Sequence, residues 1–334
     1  MKELALVWFQ FALCVGLIGV AGFRLIRYGD AIAQLAGLSR SWVGLILVAT
    51  VTSLPELVTG LSAVTLAQAP DIAVGDALGS CVFNLAILAF VDVVYRKEPL
   101  YAVASRGHIL PAAFGVILLT TAASILILSP QGLVPRWGHV SLGSVMLVVL
   151  YALSMRVIYK LEQRHHEPAS ATTPVLSMKE AMMGYALASM VIVGSGIWLP
   201  LLGVELARIM NWSNSFVGTL FVAMATSVPE MATTLGALRM GAVDLAIGSL
   251  LGSNLFDVLI ISLDDLAYQP GALYEKVSPL HVLSALVAAT MTGAVIVALS
   301  YRPVSRVWHV ASWASLSLLA LYVLNAVLQF MHGH

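Results

Sequence analysis

The run Thr52-Ser53-Leu54-Pro55-Glu56, followed by Gly79-Ser80-Cys81-Val82-Phe83-Asn84, returns later as Thr226-Ser227-Val228-Pro229-Glu230, followed by Gly252-Ser253-Asn254-Leu255-Phe256-Asp257. Glu56 and Glu230 are 174 residues apart and Asn84 and Asp257 are 173 apart, so the duplication keeps register to within one residue. Both copies lie in apolar sequence of membrane-spanning length. A bilayer core about 30 Å thick takes roughly 20 apolar residues in a helix. Ten such runs can be placed, near 4–25, 38–67, 71–95, 106–128, 136–160, 179–202, 209–238, 241–263, 278–299 and 307–331. The only clear linker is 161–177, where Glu162, Arg164, His165, His166, Glu167 and two prolines leave no helical periodicity. Five spans in each half make the second half enter the membrane from the opposite side. The expected architecture is an all-α integral membrane protein with ten transmembrane helices in two inverted-topology repeats of five, over 1–160 and 178–334, joined by the linker at 161–177. Inverted repeats place a substrate site at their interface near the bilayer midplane.

Composition agrees, since 60% hydrophobic and 10% charged residues with a mean hydropathy of +0.93 exclude a soluble globule, for which roughly 25% charged residues are usual. The net charge is zero and no basic tract exists, which sets nucleic acid aside. Cys14 and Cys81 fall in apolar segments and read as buried small hydrophobes, not as a disulfide. The first run lacks a basic n-region and a small-residue cleavage site, so it reads as a retained span. Of the 17 Lys and Arg residues, Lys2, Arg136, Arg208 and Lys276 fall on one side of the ten-span layout. The other 13 are Arg24, Arg27, Arg40, Arg96, Lys97, Arg106, Arg156, Lys160, Arg164, Lys179, Arg239, Arg302 and Arg306. Positive residues favour the cytoplasm, so both termini are expected outside and the 161–177 loop inside. Trp137, Trp212 and Trp308 read as interfacial anchors.

A carboxylate in an apolar span is costly and is kept for function. In a helix Thr52 and Glu56 share a face that Ser53 borders, and Thr226, Ser227 and Glu230 repeat it. Pro55 and Pro229 lack an amide hydrogen and loosen the carbonyls of Val51 and Ala225, which then need partners. Gly75 and Gly79, like Gly248 and Gly252, have the spacing that lets helices approach closely. Ser80 with Asn84, and Ser253 with Asp257, lie one turn apart. Carboxylates, amide, hydroxyls and carbonyls form a hard oxygen set suited to Ca2+ or an alkali ion. Glu56, Glu230 and Asp257 together demand neutralisation by cations or protons. One Ca2+ with a proton, or several Na+, would do so, and competition between those loadings is the physical basis of exchange. Asp76 is a further carboxylate, either a proton site or a solvated or paired group near the mouth. Asp71 and Asp244 occupy matching positions and read as helix-start caps. His165 and His166 read as solvated, and His332 and His334 are too few to define a metal site.

The pattern T-S-x-P-E followed by G-x-x-x-G-S-x-x-F-[ND], in two copies, resembles the sodium/calcium exchanger family of cation/calcium antiporters over essentially the whole chain. That resemblance implies a non-enzymatic secondary antiporter, without cofactor, that exchanges Ca2+ for Na+ by alternating access in a prokaryotic plasma membrane. It implies Glu56 and Glu230 as principal Ca2+ ligands, with Asn84 and Asp257 completing the central site. Thr52, Ser53, Ser80, Thr226, Ser227 and Ser253 would serve flanking Na+ sites, together with the carbonyls of Ala49 and Ala223, and the first and sixth spans would be the mobile pair. Val51 and Ala225 stand where the family usually has Gly, Cys81 where it usually has Asn, and Asp76 where Asn is common. The missing asparagine and the added aspartate keep Ca2+/H+ or another cation/H+ exchange as the alternative. A passive channel is disfavoured because nothing in the sequence indicates a continuous pore. An intramembrane protease is disfavoured because H-E-x-x-H and G-x-G-D patterns are lacking. The expected partners are the lipid bilayer and the transported ions; the oligomeric state is not legible.

Overall fold

The computed structural model describes residues 2–35, 49–96, 98–162, 176–303, 306–307 and 311–332. Two long helices, α1 (Lys2–Leu35) and, later in the chain, α7 (Met178–Met210), lie along each other. At 1.5 Å per residue each is about 50 Å long, so neither fits upright within a hydrocarbon core of about 30 Å. Between them come α2 (Ala49–Thr52), α3 (Leu54–Thr65), α4 (Pro70–Val94), α5 (Ile109–Leu128) and α6 (Leu142–Glu162). After α7 a π-helical segment, Val217–Val222, leads into α8 (Ala223–Thr226) and α9 (Val228–Arg239). The chain then forms α10 (Val243–Ala267), α11 (Leu280–Tyr301) and α12 (Trp313–His332).

Helices α4 and α10 are almost wholly buried and form the centre. Helices α5 and α11 pack on each other and on this pair, α12 lies on α4, and α6 lies on α10. The outward residues of the peripheral helices are apolar, among them Phe9, Val149, Met190 and Val323. Such a surface has lipid as its solvent, and the helices close their own backbone hydrogen bonds as hydrocarbon requires. Eight of the described helices are long and apolar enough to cross a membrane, or nine when the bent pair 214–226 and 228–239 is one span. The expected span at 38–67 is described only from residue 49.

The expected proline-loosened helices are broken outright. Ser53 (φ −86°, ψ 13°) ends α2 and precedes α3, and Ser227 (φ −82°, ψ 8°) stands likewise between α8 and α9, which are bent by 44°. Pro55 and Pro229 sit in the first turn of the new helix, where no intrahelical amide bond is needed, so each proline starts a helix instead of straining one. The run expected at 136–160 begins as a hairpin, with Arg136–Trp137 paired to Val140–Ser141 through a turn at Gly138 (φ 64°), and its helix starts at Leu142. The Ser141 amide donates to Asp265 at 2.8 Å, which holds this entrance on the end of α10. Trp212 stacks on Phe221 at 5.1 Å within a cluster that includes Trp8, Phe11 and Phe216. Trp137, 86% exposed, stands free on the hairpin. Expectations resting on Arg40, Lys97, Arg164, His165, His166, Trp308 and His334 lie outside the described residues.

Candidate cation site

Helices α4 and α10 run in opposite directions. The start of α4 meets the segment that follows α10, because Asp71 accepts from the Ser278 amide at 2.7 Å and pairs with His281 Nε2 at 3.0 Å. The start of α10 meets the segment that follows α4 in the same way, with Asp244 accepting from the Ser105 amide at 2.7 Å and pairing with His108 Nε2 at 2.9 Å. These aspartates do sit in first turns, yet each ties its helix to the other half of the chain instead of capping its own. The far ends are tied reciprocally too. Asp92 accepts from the amides of Leu100 and Ser312 and the Ser315 hydroxyl, and Asp265 accepts from the amides of Leu273 and Ser141 and the Ser144 hydroxyl. The two helices cross at Cys81 and Asn254: Cys81 Sγ donates to the Asn254 carbonyl at 3.6 Å, and Asn254 Nδ2 donates to the Cys81 carbonyl at 3.1 Å. Gly75 and Gly79 let α4 lie directly on the π segment, where a methyl on Gly79 would overlap the Thr219 carbonyl.

Around this crossing the duplicated residues meet, each copy touching the other. Ser53 Oγ donates to Glu230 Oε1 at 3.5 Å and Ser227 Oγ donates to Glu56 Oε1 at 3.4 Å. Thr52 Oγ1 and Ser253 Oγ are 3.3 Å apart, and Ser80 Oγ and Thr226 Oγ1 are 3.5 Å apart. Ser253 Oγ also reaches Glu230 Oε1 at 3.5 Å, and Ser227 Oγ reaches Ser80 Oγ at 3.1 Å. Asn84 Nδ2 donates to Asn254 Oδ1 at 3.0 Å, and the Cys81 thiol lies 3.9 Å from Asp257 Oδ2. Thr226 Oγ1 donates to Asp76 Oδ1 at 2.8 Å, the shortest contact of this set. Each of these side chains is 3% exposed or less.

The breaks at Ser53 and Ser227 explain why these groups converge. A helix that restarts at Leu54 or Val228 aims its first-turn glutamate back across the break, beside the serine and threonine that close the preceding helix. The arrangement is short of donors. Glu56 Oε2, Glu230 Oε2, Asp257 Oδ1 and Asn84 Oδ1 are buried without a hydrogen-bond partner, and among the described residues no Lys or Arg is buried. Buried charge of one sign and little donation requires cations or protons. Among the described residues no three His, Cys, Asp or Glu side chains converge closely enough to hold a metal ion. Hydroxyl, amide, carbonyl or water oxygens would complete the shell of an ion bound beside these carboxylates. Oxygens 2.3–2.6 Å from one ion and at right angles stand about 3.4 Å apart, which is the spacing of these serine and glutamate oxygens. The Ala223 carbonyl already accepts from the Ser227 amide at 3.1 Å and is 3.2 Å from Thr226 Oγ1. Ala49 begins α2.

Asn254 is the residue at this centre whose part the motif alone does not convey. It lies within the repeated pattern, but only the crossing shows that it bridges Asn84 and Cys81. Asp264, fully buried on α10, is a second omission, and its signal was a carboxylate in an apolar span with no partner in the other copy.

The family described as Sodium/calcium exchanger protein matches residues 6–160 and 180–331. A putative antiporter, CaxA of Alkalimonas amylolytica, is 28% identical over 239 residues, which is 71% of this chain and 73% of the relative. Among solved structures, the sodium-calcium exchanger NCX_Mj aligns with a TM-score of 0.64 at 20% identity, covering 97% of this chain and 99% of that one. The H+/Ca2+ exchanger CAX aligns with a TM-score of 0.70 at 16% identity, covering 97% and 86%. Both structural likenesses bear on the fold alone. A family match that takes in both copies of the motif and nearly all the sequence between them leaves one assignment: the chain is a member of the sodium/calcium exchanger family, an integral membrane antiporter of cations.

Proposed function

We propose that this antiporter exchanges Ca2+ for Na+ by alternating access at the crossing of α4 and α10. The carrying observation is the reciprocal pair Ser53 with Glu230 and Ser227 with Glu56, set at the spacing of oxygens that share one coordination shell. Glu56 and Glu230 are the principal Ca2+ ligands, completed by Asn84 and Asp257. Thr52, Ser53, Ser80, Thr226, Ser227, Ser253 and the carbonyls of Ala49 and Ala223 serve Na+ on either side. Reciprocal contacts support two inverted five-helix repeats, 1–160 and 178–334, with ten spans, and the distribution of Lys and Arg supports a cytoplasmic 161–177 loop and both termini outside. The bacterial relative supports a prokaryotic plasma membrane.

Cation/H+ exchange is the second reading, favoured by one contact: Asp76 accepts a hydrogen bond from Thr226, a hydroxyl that the first reading assigns to Na+. Proteoliposomes loaded with Na+ and diluted into Na+-free buffer separate the two when radiolabelled Ca2+ uptake is compared with a set driven by a pH gradient. Uptake that requires internal Na+ is the expected result. Uptake driven only by protons moves the assignment to H+ exchange, and no uptake under either gradient removes Ca2+ as the substrate. Glu56→Gln and Glu230→Gln remove charge with little change in volume, so each should fold and lower uptake to background. Full uptake in either variant overturns the site.

A further inference from the structure

One position of the central site departs from the oxygen chemistry of the rest. Cys81 and Asn254 are 173 residues apart, the same offset as Asn84 and Asp257, so they are counterparts across the duplication. They also meet each other where α4 and α10 cross. An asparagine in both copies would bring an amide oxygen and two N–H donors from each side. The first copy brings sulfur instead, a weak donor and a soft ligand.

That sulfur stands among oxygens suited to a cation. Cys81 Sγ lies 3.9 Å from Asp257 Oδ2 and 3.6 Å from the Asn254 carbonyl. Asp257 is 1% exposed; it turns Oδ2 to the thiol, and its Oδ1 has no hydrogen-bond partner. Asn84 follows Cys81 by three residues on the same face of α4, and its Oδ1 is likewise buried and unmet. A tetrahedral divalent ion with sulfur at about 2.3 Å and oxygen at about 2.0–2.2 Å sets those two ligand atoms about 3.6 Å apart. The contacts of 3.6 and 3.9 Å made by the thiol are close to that spacing.

We propose that Cys81 makes the central site a binding site for a thiophilic divalent cation of the class of Cd2+ and Zn2+, held by the Cys81 sulfur and the Asp257 carboxylate. Asparagine, backbone or water oxygens complete the shell. The proposal rests on the cation-site reading and deepens it, adding a second class of ion at the same place. As the sulfur–metal bond forms the S–H bond breaks, the sulfur keeps the electron pair, and the proton leaves to water. One thiolate and one carboxylate then balance the two positive charges. Thiolate favours such a metal over Ca2+, so the ion occupies the exchanger and blocks Ca2+ exchange.

An absorbance titration of the purified full-length chain tests this without transport. In a Cys14→Ser chain Cys81 is the sole thiol, so an ultraviolet thiolate-to-cadmium charge-transfer band on adding Cd2+ comes from it alone. The expected result is a band that saturates at one Cd2+ per chain and is lost when Cys81→Ser is added. Asp257→Asn should weaken Cd2+ at least about tenfold while the band persists. Because the Cys14→Ser chain itself carries the readout, the test stands even if Cys81→Ser misfolds. In proteoliposomes, Cd2+ at saturating occupancy should stop Ca2+ uptake, and undiminished uptake overturns the shared site. No band, or a band whose affinity ignores Asp257→Asn, overturns the thiol ligand and leaves the exchange reading intact. A band that depends on Asp257, in protein that fails both gradient-driven uptake assays without Cd2+, overturns the exchange reading and leaves the thiol ligand standing.

Discussion

Asp92 and Asp264 are equally buried aspartates with opposite roles, and the difference is in what donates to them. Asp92 satisfies two backbone amides and a serine hydroxyl, whereas Asp264 has no donor. Asp92→Ala should therefore orphan two buried amides, Leu100 and Ser312, at about 1–3 kcal/mol each, while the Ser315 hydroxyl keeps Tyr101 as a partner. It should lower the unfolding midpoint in detergent far more than Asp264→Asn does. Asn254 is the comparable residue at the crossing. Its amide gives a proton to the Cys81 carbonyl and its oxygen takes one from Asn84. Asn254→Leu leaves the Asn84 side-chain amide without its acceptor, and a loss of about 1–3 kcal/mol is expected by equilibrium unfolding. An unchanged stability there would mean that water or a rotated Asn84 fills the gap.

The same economy governs the elements. A helix broken at Ser53 or Ser227 gives up backbone hydrogen bonds within the membrane core, where no solvent replaces them, and so the break is tolerated only inside the protein around polar groups. Pro229→Ala returns an amide to the Ala225 carbonyl and favours a continuous helix. The expected outcome is retained or raised stability with slowed exchange, and an exchange rate equal to wild type would show that the break needs no proline. The π segment lies on α4 through glycines on both sides, Gly75 and Gly79 on α4 and Gly218 within the segment. Gly79→Ala would drive a methyl into the Thr219 carbonyl and should cost about 1–3 kcal/mol. A matching loss of uptake is expected, because the displaced segment leads directly into Thr226 and Ser227.

At the scale of the whole molecule the long pair α1 and α7 stands apart from the inner helices. The two helices pack along each other, α7 also lies on α3, and α1 meets the inner helices through Trp8 and Phe11 against Phe221 and through Gly19 against Val228 and Gly22 against Pro229. The glycine contacts at one end of α9 form a smooth seam, which suits an outer pair that slides over an inner core. Gly19→Cys with Val228→Cys, in a Cys14→Ser background, should stop exchange on oxidation and recover it on reduction. Radiolabelled Ca2+ uptake reads both states, and undiminished exchange in the cross-linked protein would rule out relative movement at this contact.

The apolar runs and the repeated carboxylates were legible because they depend on local sequence: runs of bilayer length and charges in apolar surroundings announce themselves within a few turns, although the helices of the first and sixth runs extend well past them, to Leu35 and Met210. The same local signals overran at Arg136, where a hairpin at Gly138 precedes the helix. Chain position read Asp71 as a helix-start cap and Asp76 as a proton site or a group near the mouth, and gave Asp92 and Asp264 no role. Only the crossing of α4 and α10 decided which of them ties helices together and which is left without a donor, because a hydrogen bond between residues more than a hundred positions apart exists only once the chain has packed.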